Sequence, residues 1–130
     1  MATAGARGVG VTGLLDTNVA LYLLGGRLAS PIPPGNYGVS VITQMELLSW
    51  PSLTKKETNR VNAFLSTLTL CDLTPAIRVR AVCLRRQERL KLPDAIICAT
   101  ALEHDVELWT NDVRLAKVPG LGCRSVSLGA

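Results

Sequence analysis

The stretch Leu14-Leu15-Asp16-Thr17-Asn18 places a carboxylate directly after a short apolar segment. The apolar segment is typical of a strand buried in a parallel sheet, and residues 19–24 continue with the apolar pattern of a helix. Strand followed by helix is the repeating unit of an α/β fold, in which ligands bind beyond the carboxyl ends of the strands. Asp16 therefore lies where such a fold builds its site, although Asp16 or Thr17 could also serve only as the N-cap of the helix.

The same alternation of strand and helix patterns continues along the chain. Further strands are predicted at residues 38–42, 70–73, 107–110 and 123–128, the last of them at an edge of the sheet. Helices are predicted at residues 43–49, 54–68, 74–90 and 92–102. The last helix is apolar nearly all round, so we expect it to be buried. This order predicts one α/β domain over residues 1–130, with a central parallel sheet flanked by helices on both faces.

The composition limits the class of protein. A chain of 130 residues with 48% hydrophobic residues and a mean hydropathy of +0.28 can bury a sizeable core. Residues 1–10 are small and rich in Gly and Ala, and we expect them to form a loose N-terminal extension without the pattern of a signal peptide. No apolar run approaches the roughly 20 residues of a membrane span. These features predict a soluble, cytoplasmic protein that does not bind a membrane.

The net charge and the numbers of aromatic, cysteine and histidine residues limit the possible partners and metal sites. The net charge of +4 and the isoelectric point of about 9.1 favour an anionic partner. With two Trp, two Tyr and one Phe, the chain is not expected to hold nucleic acid mainly by base stacking. The cysteines form no C-x-x-C pair and the chain has one histidine, so a zinc or redox site is not expected. We instead predict buried, reduced thiols at Cys71, Cys83, Cys98 and Cys123.

Four acids carry the candidate chemistry. Each lies at a predicted strand end or in the first turn of the following helix: Asp16, Glu46, Asp94 and Asp112. Because these junctions open on one edge of a parallel sheet, the four carboxylates can converge on one pocket. Converging carboxylates must either raise their pKa values or bind a cation. An all-oxygen set without His or Cys favours Mg²⁺ or Mn²⁺ over Zn²⁺.

Each acid also has a purely structural interpretation. Thr43-x-x-Glu46 matches a capping box, as Thr54-x-x-Glu57 does. Asp94 would favourably meet the dipole of its helix, and Asp112 could be an ordinary turn residue. Taken together these interpretations explain less, because caps and turns do not require acids at successive edges of a sheet.

Four segments resemble the ordered motifs of PIN-domain nucleases: Leu14-Leu15-Asp16-Thr17-Asn18, Val41-Ile42-Thr43-Gln44-Met45-Glu46-Leu47-Leu48, Leu92-Pro93-Asp94-Ala95-Ile96-Ile97-Cys98-Ala99-Thr100-Ala101 and Leu108-Trp109-Thr110-Asn111-Asp112. The order, spacing and total length are similar to those of a VapC toxin of a bacterial or archaeal toxin–antitoxin pair. The resemblance extends from Leu14 to Leu128 and implies a PIN-like fold. It also implies a divalent-metal-dependent endoribonuclease that is inhibited by an antitoxin and forms a homodimer.

The resemblance also implies a role for each acid. Asp16 and Asp94 become the direct ligands of the main metal, and Glu46 completes or orients that shell. Asp112 would hold a second metal or a metal-bound water. The supporting residues that hydrogen-bond beside the acids would be Asn18 and Thr110. No Asp or Glu follows Asp112, so a fifth acid found in some relatives is absent here, and one bound metal is as compatible with the sequence as two.

A basic segment precedes Asp94 and is a candidate surface for RNA. If the segment is helical, its arginines form one stripe that spans about a third of the helical wheel, with Arg78, Arg85, Arg86 and Arg89 as members. RNA phosphates could lie along this stripe. The stripe could also be a solvated helix face, or, as the family resemblance suggests, a contact for the tail of the antitoxin.

Two other functions are compatible with the sequence. A PIN-like chain can act as a catalytically silent RNA-binding or protein-interaction module, although such modules commonly lose acids and this chain keeps all four. An acid-rich phosphatase of doubly wound fold would need a second Asp two residues after Asp16, and Asn18 occupies that place. The metal-dependent ribonuclease is therefore the favoured hypothesis.

Overall fold

The computed structural model describes residues 11–129, so the expected loose extension at residues 1–10 lies outside the described part. The strands are β1 (Val11–Leu15), β2 (Asn36–Ser40), β3 (Thr69–Cys71), β4 (Glu107–Trp109) and β5 (Cys123–Arg124). The helices are α1 (Thr17–Leu24), α2 (Val41–Leu48), α3 (Lys55–Leu65), α4 (Pro75–Glu88) and α5 (Leu92–His104), and a 3₁₀ turn follows at Leu115–Lys117.

The five strands form one parallel sheet in the order β3-β2-β1-β4-β5. The chain starts at β1 in the centre, proceeds outward to β2 and β3, and then crosses to β4 and β5 on the other side. Connections thus leave β1 and β4 in opposite directions. In a doubly wound sheet this reversal opens a crevice at the carboxyl ends of the two strands. The predicted α/β fold is confirmed, and its crevice lies directly after Leu15 and Trp109.

A hydrophobic core covers each face of the sheet. Leu14 and Leu108 belong to the core that α4 and α5 complete, whereas Leu15 and Trp109 belong to the core on the opposite face, with α1 and α3. This division follows from the strand period, because neighbouring side chains point to opposite faces. Residues 95–101 of α5 are all buried, so the predicted burial of this helix is confirmed.

A close contact between β1 and the end of β4 requires a glycine. A Cβ atom built on Gly13 would lie 2.7 Å from Nε1 of Trp109, which is closer than Cβ atoms approach non-bonded neighbours in proteins. The indole ring also meets Tyr37 edge-on, with ring centroids 5.8 Å apart, and the guanidinium of Arg124 lies 5.4 Å from its centroid. Gly13 therefore allows the Trp109 ring to pack beside the crevice.

Some predicted boundaries are wrong. The strand predicted at residues 38–42 covers Asn36–Ser40, and Val41 and Ile42 already belong to α2. The Ser40 hydroxyl accepts a hydrogen bond from the Ile42 amide at 3.1 Å, so the N-cap overrides the β preference of the two branched side chains. The strand predicted at residues 70–73 covers Thr69–Cys71. The edge strand predicted at residues 123–128 ends at Arg124, and Leu128 instead forms an isolated antiparallel bridge with Leu28.

The predicted basic stripe is shorter than the helical wheel suggested. Helix α4 ends at Glu88, and Arg89 adopts the left-handed conformation with φ 55°. Arg89 therefore leaves the helix, and its place in the helical stripe is a wrong prediction. Arg85 donates a hydrogen bond to the Leu90 carbonyl oxygen at 3.2 Å, so it helps to end the helix. Arg78 and Arg86 are exposed on α4.

All four cysteines are free, as predicted, but they are not all buried. Cys71 and Cys98 are buried and Cys123 is half-buried. Cys83 is exposed on α4, so its predicted burial is wrong. The apolar side chains of Val79 and Val82 beside it are exposed as well, so this part of α4 is not covered by the core. Within residues 11–129, no helix combines the length and apolarity that crossing a membrane requires.

Candidate active site

Asp16 lies at the crevice between β1 and β4. Only 5% of the residue is exposed, and its amide donates to the Trp109 carbonyl oxygen at 3.1 Å. Oδ1 caps α1 by accepting from the Val19 amide at 2.7 Å, and Oδ2 accepts a short hydrogen bond from the Thr110 hydroxyl. Asp16 thus caps α1 and also places its carboxylate at the switch point of the sheet, the place between β1 and β4 where the strand order reverses.

Glu46 reaches the same edge from α2. It is the sixth residue of the helix rather than a first-turn residue, because α2 begins earlier than predicted. Its Oε1 accepts from the Thr17 hydroxyl at 2.6 Å, and Thr17 Oγ1 lies 2.9 Å from Oγ1 of the buried Thr43. The capping box proposed for Thr43 and Glu46 is therefore wrong, since Ser40 caps α2 and Glu46 is held by α1.

Asp94, from α5, and Asp112, from the loop after β4, lie near Asp16 and Glu46. These four acids are called the acidic group below. Asp94 is in the first turn of α5, and Asp112 donates its amide to the Thr110 hydroxyl at 3.0 Å. The guanidinium of Arg114 lies between the two carboxylates. Its Nη2 is 2.7 Å from Asp112 Oδ2 and 3.5 Å from Asp94 Oδ2. The loop thus places a cation inside the acidic group.

Burial and neighbouring charges shift the pKa values of three of these acids, Asp16, Asp94 and Asp112. Burial raises the pKa of Asp16, hydrogen bonds from Thr110 and Val19 oppose this, and the charges of Asp94 and Asp112 add to the increase. Burial also raises the pKa of Asp94, which Arg114 lowers and which Asp112 and Glu46 raise further. The hydrogen bond from Arg114 holds the pKa of Asp112 below its usual value. Negative charge is therefore concentrated at this edge, and Arg114 only partly compensates it.

The donor chemistry of this group fits a hard divalent cation. Among the residues described, no three Asp, Glu, His or Cys side chains stand close enough to form a ready-made metal-binding group. Each carboxylate is instead held by a hydroxyl, an amide or Arg114. The donors nevertheless are all carboxylate and hydroxyl oxygens, and the raised pKa values of Asp16 and Asp94 mark carboxylates whose charge a cation would stabilise.

The predicted supporting residues have different positions. Thr110 is buried and joins Asp16 to the Asp112 loop through its hydroxyl. Asn18 is exposed on α1 and makes no hydrogen bond with any of the four acids, all of which lie in the described part of the chain. The structure thus brings Thr110 into the acidic group and leaves Asn18 at its margin.

Three polar residues of this site were not found from the sequence: Thr17, Thr43 and Arg114. Thr17 directly follows Asp16, so its position was a usable signal. Arg114 follows Asp112 by two residues. At this spacing the Asp112 carboxylate accepts hydrogen bonds from both the backbone amide and the guanidinium of Arg114. Nothing in the local sequence around Thr43 links it to Thr17, because the pair is 26 positions apart.

Comparisons with known proteins agree with this geometry. The PIN domain family matches residues 13–121. A chain of a toxin–antitoxin complex from Klebsiella pneumoniae is 36% identical, with a TM-score of 0.72 and coverage of 84% of this chain and 94% of that chain. A comparison with curated proteins finds no match.

More distant solved structures share the fold. A chain of VapBC2 from Rickettsia felis, bound to a promoter DNA fragment, is 20% identical with a TM-score of 0.72 and coverage of 88% and 98% of the two chains. A chain of DNA-bound VapBC from Salmonella typhimurium is 18% identical with a TM-score of 0.74 and the same coverage. The matched residues, the identity to the Klebsiella chain and the sheet with its acids at the switch point show that this chain belongs to the PIN domain family.

Proposed function

We propose that this chain is a divalent-metal-dependent endoribonuclease that hydrolyses RNA phosphodiester bonds and acts as the toxin of a toxin–antitoxin pair. The observation that carries the proposal is the group of four acids at the β1–β4 crevice, two of which have raised pKa values. Membership of the PIN domain family supports a nuclease activity. A cytoplasmic site of action would give the enzyme access to RNA.

In this proposal Asp16 and Asp94 bind the main cation, Mg²⁺ or Mn²⁺, through their carboxylate oxygens. Glu46 completes the shell, and Asp112 holds a second cation or a bound water. When bound, a divalent ion supplies a water of lowered pKa and offsets negative charge on the leaving oxygen. No covalent nucleophile from the chain is needed.

The hydroxyl groups around the acids would fix the geometry of this shell. Thr110 holds Oδ2 of Asp16 while the Val19 amide holds Oδ1, so the Asp16 carboxylate has one orientation. Thr17 similarly holds Oε1 of Glu46. Residues that orient metal ligands commonly affect metal affinity or activity by about 10- to 100-fold.

RNA would be held mainly through its phosphates. Arg78 and Arg86 are exposed on α4 and are free to contact a backbone, whereas Arg85 is committed to the Leu90 carbonyl. Arg89 lies just beyond the helix, and its guanidinium remains a candidate contact. We therefore propose Arg78, Arg86 and Arg89 as phosphate contacts, with Arg85 in a structural role.

The proposed partner is an antitoxin protein. The Klebsiella chain, 36% identical to this one, belongs to a toxin–antitoxin complex. We propose that an antitoxin binds and inhibits this chain, and that the chain forms a homodimer. A purified complex should therefore cleave RNA more slowly than the free chain, and equal rates on a verified substrate would contradict inhibition.

The decisive experiment is cleavage of total RNA by the purified, antitoxin-free chain with Mg²⁺, with Mn²⁺ and with EDTA. Asp16→Asn and Asp94→Asn keep the shape of each side chain but remove the charge that a hard cation needs. We expect metal-dependent cleavage by the wild type and its loss in both variants.

Asp105→Asn is the matched control. Asp105 is exposed, precedes β4 at the opposite edge of the sheet, and has a left-handed backbone that Asn also adopts readily. This variant removes one negative charge and should cleave RNA like the wild type. A folded wild type that binds RNA but cuts nothing with either metal would favour the silent binding module instead.

A further inference from the structure

Arg114 makes three hydrogen bonds to Asp112, one of the four acids of the site. Its amide donates to Asp112 Oδ1 at 2.9 Å, its Nε lies 3.2 Å from the same oxygen, and its Nη2 lies 2.7 Å from Oδ2. The guanidinium therefore engages both oxygens of one carboxylate. This fork geometry is the strong form of an Arg–carboxylate pair.

The same nitrogen also faces the second carboxylate. Nη2 lies 3.5 Å from Asp94 Oδ2, so the contact with Asp94 is looser than the contact with Asp112. A cation that bridged the Oδ2 atoms of Asp112 and Asp94 would take the place that Nη2 occupies between them. The guanidinium and a divalent ion thus compete for the same oxygens.

Arg114 is able to leave this position. Its side chain is 56% exposed, so it can swing into solvent without opening the core. The amide of residue 114 would still hold Asp112 Oδ1, because that hydrogen bond belongs to the backbone. The turn that presents Asp112 therefore does not depend on the guanidinium.

We propose that Arg114 is a built-in counter-ion that occupies the second cation position, so that the RNA-free protein binds one divalent ion and Asp112 becomes available to another only when the guanidinium leaves. The inference rests on the proposed metal-dependent function and assigns a new residue to its site. The main ion would bind Asp16 and Asp94, and of the contacts that Arg114 makes it would replace only the loose one with Asp94 at 3.5 Å. Release of Asp112 requires the loss of both ends of the fork.

The test is a titration of the metal-free chain with Mn²⁺, in which electron paramagnetic resonance measures the concentration of unbound ion and so gives the number of ions bound per chain. Arg114→Gln keeps a chain of similar length but removes the charge and the fork. We expect about one Mn²⁺ per wild-type chain and about two per variant chain. Arg114→Lys keeps the charge but cannot form the fork, so it should bind a second Mn²⁺ more tightly than the wild type and less tightly than Arg114→Gln.

Arg80→Gln is the matched control, because Arg80 is also exposed and pairs with an acid, Glu103, outside the site. It should bind Mn²⁺ like the wild type. Two ions on the wild type, or the same stoichiometry and affinity in Arg114→Gln, would overturn the role of Arg114 while leaving a metal-dependent enzyme intact. No Mn²⁺ on any of these proteins would overturn the proposed metal dependence, and the role of Arg114 with it.

Discussion

At the scale of single residues, the candidate site uses side chains that also hold the fold together. Asp16 caps α1 and is buried beside other acids, so its ionised form is unfavourable in the folded protein. Thr17 and Thr110 each satisfy an acid with a hydroxyl group. Substitution of one of these residues is therefore expected to change both the stability of the fold and the proposed activity. Matched variants can distinguish the two effects.

Asp16→Asn should abolish the proposed cleavage without lowering stability in EDTA. The folded pKa of Asp16 is raised above its unfolded value, so the folded state binds this proton more tightly. That stabilisation is complete below the unfolded pKa and is lost as the pH rises through the folded pKa. At pH 7 the charged carboxylate consequently lowers the free energy of unfolding, and a neutral Asn removes this penalty while keeping an oxygen for the Val19 amide.

Thermal denaturation in EDTA checks this prediction. The Tm of Asp16→Asn should equal or exceed that of the wild type, and Asp16→Ala, which removes the same charge, should be about 1 kcal/mol less stable than Asp16→Asn through loss of the cap. If Asn and Ala lowered the Tm equally, ionisation of Asp16 would not be a stability cost in this fold.

Thr17→Val should slow the proposed RNA cleavage by about 10- to 100-fold. Valine keeps the shape of threonine but cannot donate to Glu46 Oε1, so the carboxylate loses its fixed orientation. Thr17→Ser keeps the hydroxyl and should restore most of the rate. Initial rates at saturating Mg²⁺ measure the effect, and a wild-type rate in the valine variant would show that Glu46 needs no positioning.

At the scale of helices and strands, capping and site chemistry occur at the same places. Asp16 and Ser40 begin α1 and α2 at the ends of β1 and β2, so the caps lie at the edge where the acids converge. Helix α3 differs, because it begins with a capping box formed by Thr54 and Glu57 after a loop. Its cap can be altered without touching the acidic group.

Thr54→Ala should destabilise the protein and leave metal binding unchanged. The Thr54 hydroxyl accepts from the Glu57 amide at 3.1 Å, and Glu57 Oε1 accepts from the Thr54 amide at 3.0 Å. Loss of the hydroxyl should cost about 1 kcal/mol and lower the Tm by roughly 3–6 °C in a chain of this size. Thr54→Ser, which keeps the cap, is the control for this melting experiment. An unchanged Tm in the alanine variant would mean that α3 does not need its capping box.

At the scale of the whole molecule, the sheet separates two cores and presents the acids at one edge between them. The core under α4 and α5 contains Cys71 and Cys98, whereas Cys83 is exposed on α4. Burial raises the pKa of Cys71 to about 11 and that of Cys98 to about 12. The cysteines therefore report whether this core is closed in solution.

Alkylation with iodoacetamide at pH 8 should modify Cys83 first and leave Cys71 and Cys98 unmodified. The reactive species is the thiolate, whose fraction at this pH is about 0.1% or less for the two buried groups. Mass spectrometry of labelled peptides measures the order, and labelling in urea should modify all four cysteines. Labelling of Cys98 as fast as Cys83 in the native protein would contradict the packing of α5 against the sheet.

Much of the fold could be predicted because its signals are local. The apolar runs of the strands, the proline starts of α4 and α5, and the Thr54–Glu57 capping box depend on residues that are close in the chain. The order of these elements then implies a parallel sheet, and a parallel sheet implies that acids at successive strand ends meet. The sequence by itself therefore determined the α/β class, the order of the elements and the four acids proposed for the site.

Only the tertiary structure decided what each acid touches. The hydroxyl of Thr110 reaches Asp16 across 94 positions of the chain, and that of Thr17 reaches Glu46 across 29. The end of β2, the exposed side of Cys83 and the position of Arg114 between Asp94 and Asp112 likewise depend on packing. Such contacts form only when the sheet brings distant segments together. No local segment contains both partners, so its own sequence does not reveal the burial and the charge interactions that stabilise them.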